Sequence, residues 1–490
     1  MKMVLRMGDD SASMLKQFCE EYDVGCVYWN KGHTPETRDK EEKYRSTLSS
    51  LEIACIESQS SLLYDPIDIA LSNGFNGGHW GTLMPFLRSC RKQGQPRKPI
   101  PRHETFTMLE NMKGPNTWPS SKSLDELDLA VINGKERWDL PIVERFPMSE
   151  EDALANMNSF FEKGFAKYET SRSRADIEFS TSKLSAHLRV GTLSPNELYY
   201  KVEGSELEYD QRKTFTRRLA WRDLAYFHLR CFPKMMDTSI RSHYEETEWV
   251  AGHEEARRFN AWKNGKTGFP LVDAAMKELY KTGWMTQSLR MIVASFLVEY
   301  LRVNWVKGCD YFHYTLADAD TAINSMMWQN AGRSGIDQWN FVMSPIAGSQ
   351  DPTGKYTRTW LPELSNLPTS VLHKPWEASE EVLKNAGVTL GNSYPHRIIV
   401  DLKSERQKSI ESVLEMRRKN QSRNTDRGYD LIKLPNGEDT VVFTKKEFRI
   451  DNDGNVITTN NSSRGKNTEP RGGGRGRKGQ KKMLRHQNQV

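Results

Sequence analysis

The chain has 490 residues, 37% hydrophobic and 10% aromatic, enough for two or three folded domains with a polar segment left over. No run of eighteen apolar residues occurs, and residues 1–20 lack a signal-peptide core, so neither a membrane span nor a secretory leader is expected. The formal charge of +6 is uneven: nine Lys/Arg between Arg464 and Val490 face one acid, Glu469, leaving +8 there and −2 over residues 1–463, which excludes a generally basic folded body.

Residues 1–95 alternate short apolar runs with polar helical stretches. Val24–Trp29 and Leu51–Ile56 predict strands, and Thr34-Pro35 predicts a helix start between them, with Thr as N-cap and Pro at the first helical position. Strand, helix, strand is the pattern of a parallel sheet. A parallel sheet needs cover on both faces and more strands than these, so this part is expected to be an N-terminally truncated α/β domain. Residues 96–147 are Pro-rich and predict a linker. Residues 148–385 predict a helical domain, starting with Ser149 before Glu150, Glu151 and Asp152. Leu154, Met157, Phe161, Phe165 and Tyr168 follow at helical spacing. Ser194-Pro195-Asn196-Glu197 predicts a capping box. Val293–Val298 carries no charge and predicts a helix segment buried on all sides. Residues 386–458 form a C-terminal extension, with a charged helix over Lys403–Lys419 and a hairpin around Pro435-Asn436-Gly437. Residues 459–490 predict a disordered basic tail. The six cysteines show no CxxC pair and no zinc spacing, so reduced thiols of an intracellular protein and no metal are expected.

Five features can carry chemistry. Phe179–Ser185 crowds four hydroxyls and Lys183 ahead of an apolar helix, which suits a diphosphate; an ordinary capped helix start explains the same residues. Asp320, Asn324 and Trp328 recur every four residues and share one helix face. They suit a polar, planar ligand with an aromatic neighbour, or else a solvated carboxylate beside a core Trp. Arg290 interrupts an apolar helix and needs a carboxylate such as Asp318, unless it lies along the surface. Trp221, Trp249, Trp262, Trp284, Trp305, Trp328 and Trp339 form a further set, each of which is expected by itself to be a core residue. The Arg-Gly tail suits DNA, RNA or acidic partners, a nuclear-import signal, or solubility alone.

Several strings fix a resemblance. Gly265–Met276, Gly283-Trp284-Met285, Leu289-Arg290-Met291, Asp351–Tyr356 and Trp360–Leu364 stand in the order found in the cryptochrome/photolyase family, and the similarity covers about residues 5–365. The subgroup resembled is the plant-type cryptochromes and plant photolyase-like proteins. The resemblance implies an α/β antenna domain joined by a linker to an all-helical domain that binds FAD in a U shape. It places Tyr168, Thr181, Ser182, Lys183, Leu184, Ser185, Arg222, Arg290, Asp318, Ala319, Asp320 and Asn324 at the flavin, with Asn324 facing its N5 atom. It makes Trp328, Trp305 and Trp249 the inner, middle and outer members of an electron relay, a role indoles suit because they are oxidisable and rigidly packed.

Departures from the family weigh against repair of pyrimidine dimers. Arg218 stands where dimer photolyases carry Glu, three residues before Trp221. Gln287 replaces an Asn and Asn330 replaces the second pocket Trp, whereas a dimer needs flat apolar walls. The His pair used on six-four photoproducts is not evident at Thr286 and Gln287. The expected function is a blue-light photoreceptor with signalling protein partners, its extension after residue 380 responding to flavin charge; the alternative is a DNA photolyase. A folate- or flavin-type antenna chromophore is a further expectation, as is an intracellular location, the nucleus first, with cytoplasm or plastid as the alternatives.

Overall fold

The computed structural model describes residues 3–59, 61–71, 80–101, 119–127, 137–336 and 342–457. The predicted tail, parts of the linker and Trp339 lie outside these. Among the described residues no helix is long and apolar enough to cross a membrane.

The N-terminal part runs α1 (Ser11–Glu21), β1 (Cys26–Asn30), α2 (Pro35–Ser50), β2 (Ala54–Ser58) and α3 (Leu83–Lys92). The two strands pair in parallel, Cys26 opposite Ala54 and Asn30 opposite Ser58. Thr34 and Thr37 cap α2 reciprocally, with Pro35 inside the first turn. β2 starts three residues later than its apolar run because Ile53 N still bonds back to Leu48 O, closing the end of α2.

The helical part continues with α4 (Leu140–Arg145), α5 (Glu150–Lys163), α6 (Tyr168–Ser171), α7 (Ser185–Val190), α8 (Pro195–Glu203) and α9 (Tyr209–Cys231). It goes on through α10 (Gly252–Lys263), α11 (Pro270–Thr282), α12 (Gln287–Ser295), α13 (Trp305–Thr315) and α14 (Thr321–Ala331). The apolar spacing from Leu154 to Tyr168 is not one helix: α5 stops at Lys163 and a 3₁₀ turn, Phe165–Lys167, re-aims the chain into α6. At α8, Ser194 Oγ accepts from Asn196 N at 3.2 Å, one residue short of the box geometry expected. α12 widens into a π-turn over Phe296–Tyr300, whose Phe296, Leu297 and Val298 are wholly buried, as the uncharged run requires.

Buried carboxylates explain the densest family strings. Asp273 accepts from Thr267 N (2.7 Å), Thr267 Oγ1 (2.6 Å), Gly268 N (3.0 Å) and Tyr394 OH (2.7 Å), pinning the Gly265–Pro270 loop. Asp351 accepts from Tyr356 N and Thr357 N, holding the start of α15 (Lys355–Trp360).

The chain ends with α16 (Thr369–Leu372), α17 (Glu380–Asn385), α18 (Leu402–Lys419) and an antiparallel hairpin, β3 (Asp430–Lys433) and β4 (Asp439–Val442). Ala386, Val388, Tyr394 and Ile399 join the same core as α11 and α12. Asp430, fully buried, bonds Arg241 and Arg417, and accepts from Tyr244 OH at 3.1 Å. The two guanidiniums hold its carboxyl far below the usual range despite burial.

Candidate functional site

The site lies where α9, α12, α13 and α14 converge on the turn before α7. At that turn Thr181 Oγ1 is buried without a hydrogen-bond partner among the described residues. Ser182 Oγ accepts from Leu184 N at 3.4 Å, and Ser180 is buried. Lys183 sits at φ +54°, uncommon for a residue with a side chain, and its Nζ lies 5.4 Å over the Trp284 ring. Burial, then Arg145, lowers its pKa, and Glu278 opposes that. Ser185 begins α7. Tyr168 is buried; burial raises its phenol and the Arg218 charge offsets part of the rise.

Asp320 shows why α14 begins where it does. Its Oδ1 caps the helix through Ile323 N at 3.0 Å, while Oδ2 accepts from Tyr226 OH at 2.7 Å. Arg290 reaches out of α12 to Asp318, Nη2 to Oδ2 at 2.9 Å, and its Nε donates to Met285 O at 2.8 Å. Asp318 Oδ1 is buried and unpartnered among the described residues. Ala319 O accepts from Arg189 Nε at 2.7 Å. Asn324, one turn after Asp320, donates to Cys309 O (2.9 Å) and contacts Cys309 Sγ (3.4 Å). Arg222 donates to Ser61 O and Leu188 O, tying the segment after β2 to α7.

Two of the relay candidates, Trp328 and Trp305, come together through two glycines. Trp328 packs on Gly308, where an added Cβ would lie 2.2 Å from Trp328 Cη2. Trp305 packs on Gly332, where it would lie 2.4 Å from Trp305 Cδ1. Each indole thus rests on the glycine one turn along from the other, and α13 and α14 cross closely because neither glycine carries a side chain. Both indoles are buried; Trp249 is half-buried, with the Arg333 guanidinium 5.5 Å over its ring. Arg333 pairs at 2.8 Å with the buried Glu299.

The residues at dimer-pocket positions do not form an apolar wall. Arg218 is exposed, Gln287 opens α12 half-buried, and Asn330 is buried with Oδ1 unpartnered among the described residues, while Trp221 packs half-buried against the α9 core. Tyr226, Cys309 and Glu278 were not singled out from sequence. Tyr226 was findable, because it lies four residues after Arg222 on one face of α9; the other two have no local signal.

Residues 215–415 match the FAD binding domain of DNA photolyase, and residues 1–104 match the DNA photolyase family model. A deoxyribodipyrimidine photo-lyase of Agrobacterium fabrum is 30% identical over 404 residues, 81% of this chain and 81% of that protein. The chain belongs to the photolyase/cryptochrome family. Cryptochrome-1 of Arabidopsis thaliana, another relative, is 34% identical over 411 residues, 81% of this chain and 58% of that protein. A bacterial class III photolyase from Agrobacterium tumefaciens has a similar structure, with TM-score 0.77 and 29% identity over 85% of this chain and 84% of that one. So has an archaeal photolyase from Sulfolobus tokodaii with two FAD molecules, with TM-score 0.65 and 25% identity over 82% and 81%. The donor set suits the FAD this family binds: orphaned Thr181 Oγ1 and Lys183 suit phosphate oxygens, and orphaned Asp318 Oδ1 beside Arg290 suits a polar ring edge.

Proposed function

We propose that this photolyase/cryptochrome-family protein is a blue-light photoreceptor. The observation that carries this reading is the coexistence of two buried indoles, Trp328 and Trp305, each seated on a glycine beside the other's helix, with a lesion pocket that lacks an apolar wall and a carboxyl donor. FAD, when bound, supplies light absorption and an acceptor for one electron. Thr181, Ser182, Lys183 and Ser185 would hold its phosphate oxygens, and Arg290, Asp318 and Asn324 would orient its ring; Asp320 fixes the start of the helix bearing Asn324 and Trp328. An electron lost from Trp328 is replaced from Trp305, and that one from Trp249. A positive charge on Trp249 then stands 5.5 Å from Arg333, a repulsion of about 3 kcal/mol at an effective dielectric near 20. Glu299, which balances Arg333, is shared with Arg406 and Ser409 of α18. The relay end therefore biases groups that dock the C-terminal segment, the element offered to signalling partners.

Repair is the second reading, favoured by the likeness to class III photolyase over most of both chains. One experiment separates them: light-induced spectral change in wild type and Trp328→Phe, alongside turnover of defined pyrimidine dimers. The photoreceptor reading expects loss of photoreduction with FAD retained, and no turnover. Robust dimer repair overturns it. For an antenna chromophore of folate or flavin type, the N-terminal domain offers a cavity of ≈ 550 Å³ lined by Phe18, Trp29 and Tyr44. Trp29 Nε1 and Arg6 Nε, also at its wall, are buried without partners among the described residues.

A further inference from the structure

α3 divides cleanly into two sides. Phe86 and Cys90, one turn apart, are buried, and the Phe86 ring lies 5.7 Å from Phe227 of α9. Met84, Arg88 and Arg91 recur four and then three residues apart on the opposite side, with Lys92 beside them, and all four are exposed. The helix is fixed to the segment before it: Ser89 Oγ donates to Ala70 O at 2.9 Å and Gln93 Nε2 to Asp68 O at 2.7 Å. Ile67, 56% exposed, is thereby held alongside, with exposed Asp68 at the edge. The chain after α3 is also pinned, by Tyr64 OH to Gly94 O at 3.0 Å, Tyr200 OH to Pro96 O at 2.6 Å and Arg97 Nη2 to Gln59 O at 2.8 Å. Lys98 and Ile100 follow, both exposed. Residues 80–101 hold five Lys/Arg (Arg88, Arg91, Lys92, Arg97 and Lys98) and no Asp or Glu, within residues 1–463 that sum to −2. Among the described residues no ion pair joins Arg91, Lys92 or Lys98 to a carboxylate. A fixed cationic strip on an otherwise acidic body attracts an anionic partner.

We propose that the outer face of α3 is a docking surface for an acidic, amphipathic helix of a protein partner. The large side chains set among the cations decide between a protein and a nucleic acid. They are aliphatic: Ile67, Met84 at 46% exposure and Ile100 at 71%. Aliphatic chains offer a nucleobase no ring to stack on, whereas an exposed Met beside cations is what an amphipathic helix buries. Met84 and Arg91 stand about two turns, or about 11 Å, apart along the helix. A partner helix laid along α3 therefore meets Ile67 and Met84 with its apolar stripe, and Arg91 and Lys92 with carboxylates one or two turns further on. None of the candidate flavin residues lies on this face, so the inference goes beyond the photoreceptor reading and stands or falls apart from it.

The test measures binding of the full-length, FAD-loaded protein to labelled probes by fluorescence anisotropy. The probes are a short helical peptide with Glu on one face and Leu on the other, its Lys/Leu counterpart, an all-Glu peptide of equal length, and a single-stranded oligonucleotide. The proteins are wild type, Met84→Ser and the Arg91→Glu/Lys92→Glu double variant, whose exposed positions leave the melting temperature unchanged. The basic segment after residue 463 is present in all of them and cancels in each comparison. The Glu/Leu peptide is expected to bind wild type more tightly than the all-Glu peptide does, and to weaken as salt rises from ~50 to ~500 mM. Reversing the two charges should cost it about tenfold in affinity. Met84→Ser should weaken it with the salt slope unchanged. The Lys/Leu peptide should bind the charge-reversed variant better than wild type, a rescue that only direct contact produces. The proposal is overturned if the charge-reversed variant keeps full affinity for the Glu/Leu peptide, or if that peptide binds no better than the all-Glu one. It is overturned equally if the oligonucleotide binds more tightly than the Glu/Leu peptide and loses more on charge reversal, which assigns the face to nucleic acid.

Discussion

Replacing Glu278 by Gln tests the electrostatics behind the turn before α7, proposed above to hold phosphate oxygens. Glu278 faces inward from α11, only 6% exposed, and its Oε2 accepts from Tyr356 OH at 2.6 Å. Burial pushes its pKa from the usual 4.5 to about 7, and Tyr356, Lys183, Arg145 and Arg290 offset only part of that. The sign follows directly. Below about pH 4.5 the carboxyl is protonated in folded and unfolded chains alike, and the fold gains its full contribution. Between there and about pH 7 the unfolded chain releases the proton and the fold keeps it, so stability falls by about 1.4 kcal/mol per pH unit, about 3 kcal/mol in all. Gln keeps an acceptor for Tyr356 and carries no charge. The variant should match wild type near pH 4.5 and exceed it by about 3 kcal/mol at pH 8. Asp223, buried and raised to about 7, gives both proteins a parallel slope that cancels in the difference. Urea midpoints across this range, with FAD at one saturating concentration, measure it. A difference that stays flat with pH would refute the reasoning.

Gly308→Ala should place a methyl 2.2 Å from Trp328 Cη2 and 2.7 Å from Leu297 Cδ2, costing about 1–3 kcal/mol through overpacking. A lower melting temperature and slowed photoreduction are expected; an unchanged melting temperature contradicts the close crossing. Deleting residues 464–490, which carry a charge of +8, should weaken binding to DNA or RNA and flatten its salt dependence. Equal salt slopes with and without the segment would place the contact elsewhere.

The fold class was legible wherever a periodic pattern met a strong local signal. Thr34-Pro35 and Ser149 set helix starts through caps that need no distant partner. Gly437, at φ +85°, turns the hairpin as Pro-Asn-Gly suggests. Errors came where tertiary demands overrode local ones. The apolar spacing through Phe165 continues a helix on paper, yet the chain turns at Gly164 to bring Tyr168 beneath Phe215, 5.1 Å between rings. The charged appearance of α18 likewise hid a buried side: Ser409, Val413 and Arg417 all face inward, and Arg417 is tolerated there because Asp430, thirteen residues away across a loop, neutralises it.

The grouping of the candidate residues was legible and their wiring was not, and the reason is physical. Asp320, Asn324 and Trp328 share a face because four residues make about one helical turn, so one helix sufficed to group them. What each does depends on neighbours from other helices: Tyr226 from α9 claims one oxygen of Asp320, and Cys309 from α13 claims the amide of Asn324. No spacing rule within a segment carries such pairings. The same holds for the indoles. Sequence order ranks Trp328, Trp305 and Trp249 by resemblance, whereas ring contact ranks Trp262 first beside Trp328. Charge moves between rings according to distance and orientation, so a test of the proposed relay turns on the packing of α10 and α13 around Trp328 rather than on the presence of any one tryptophan.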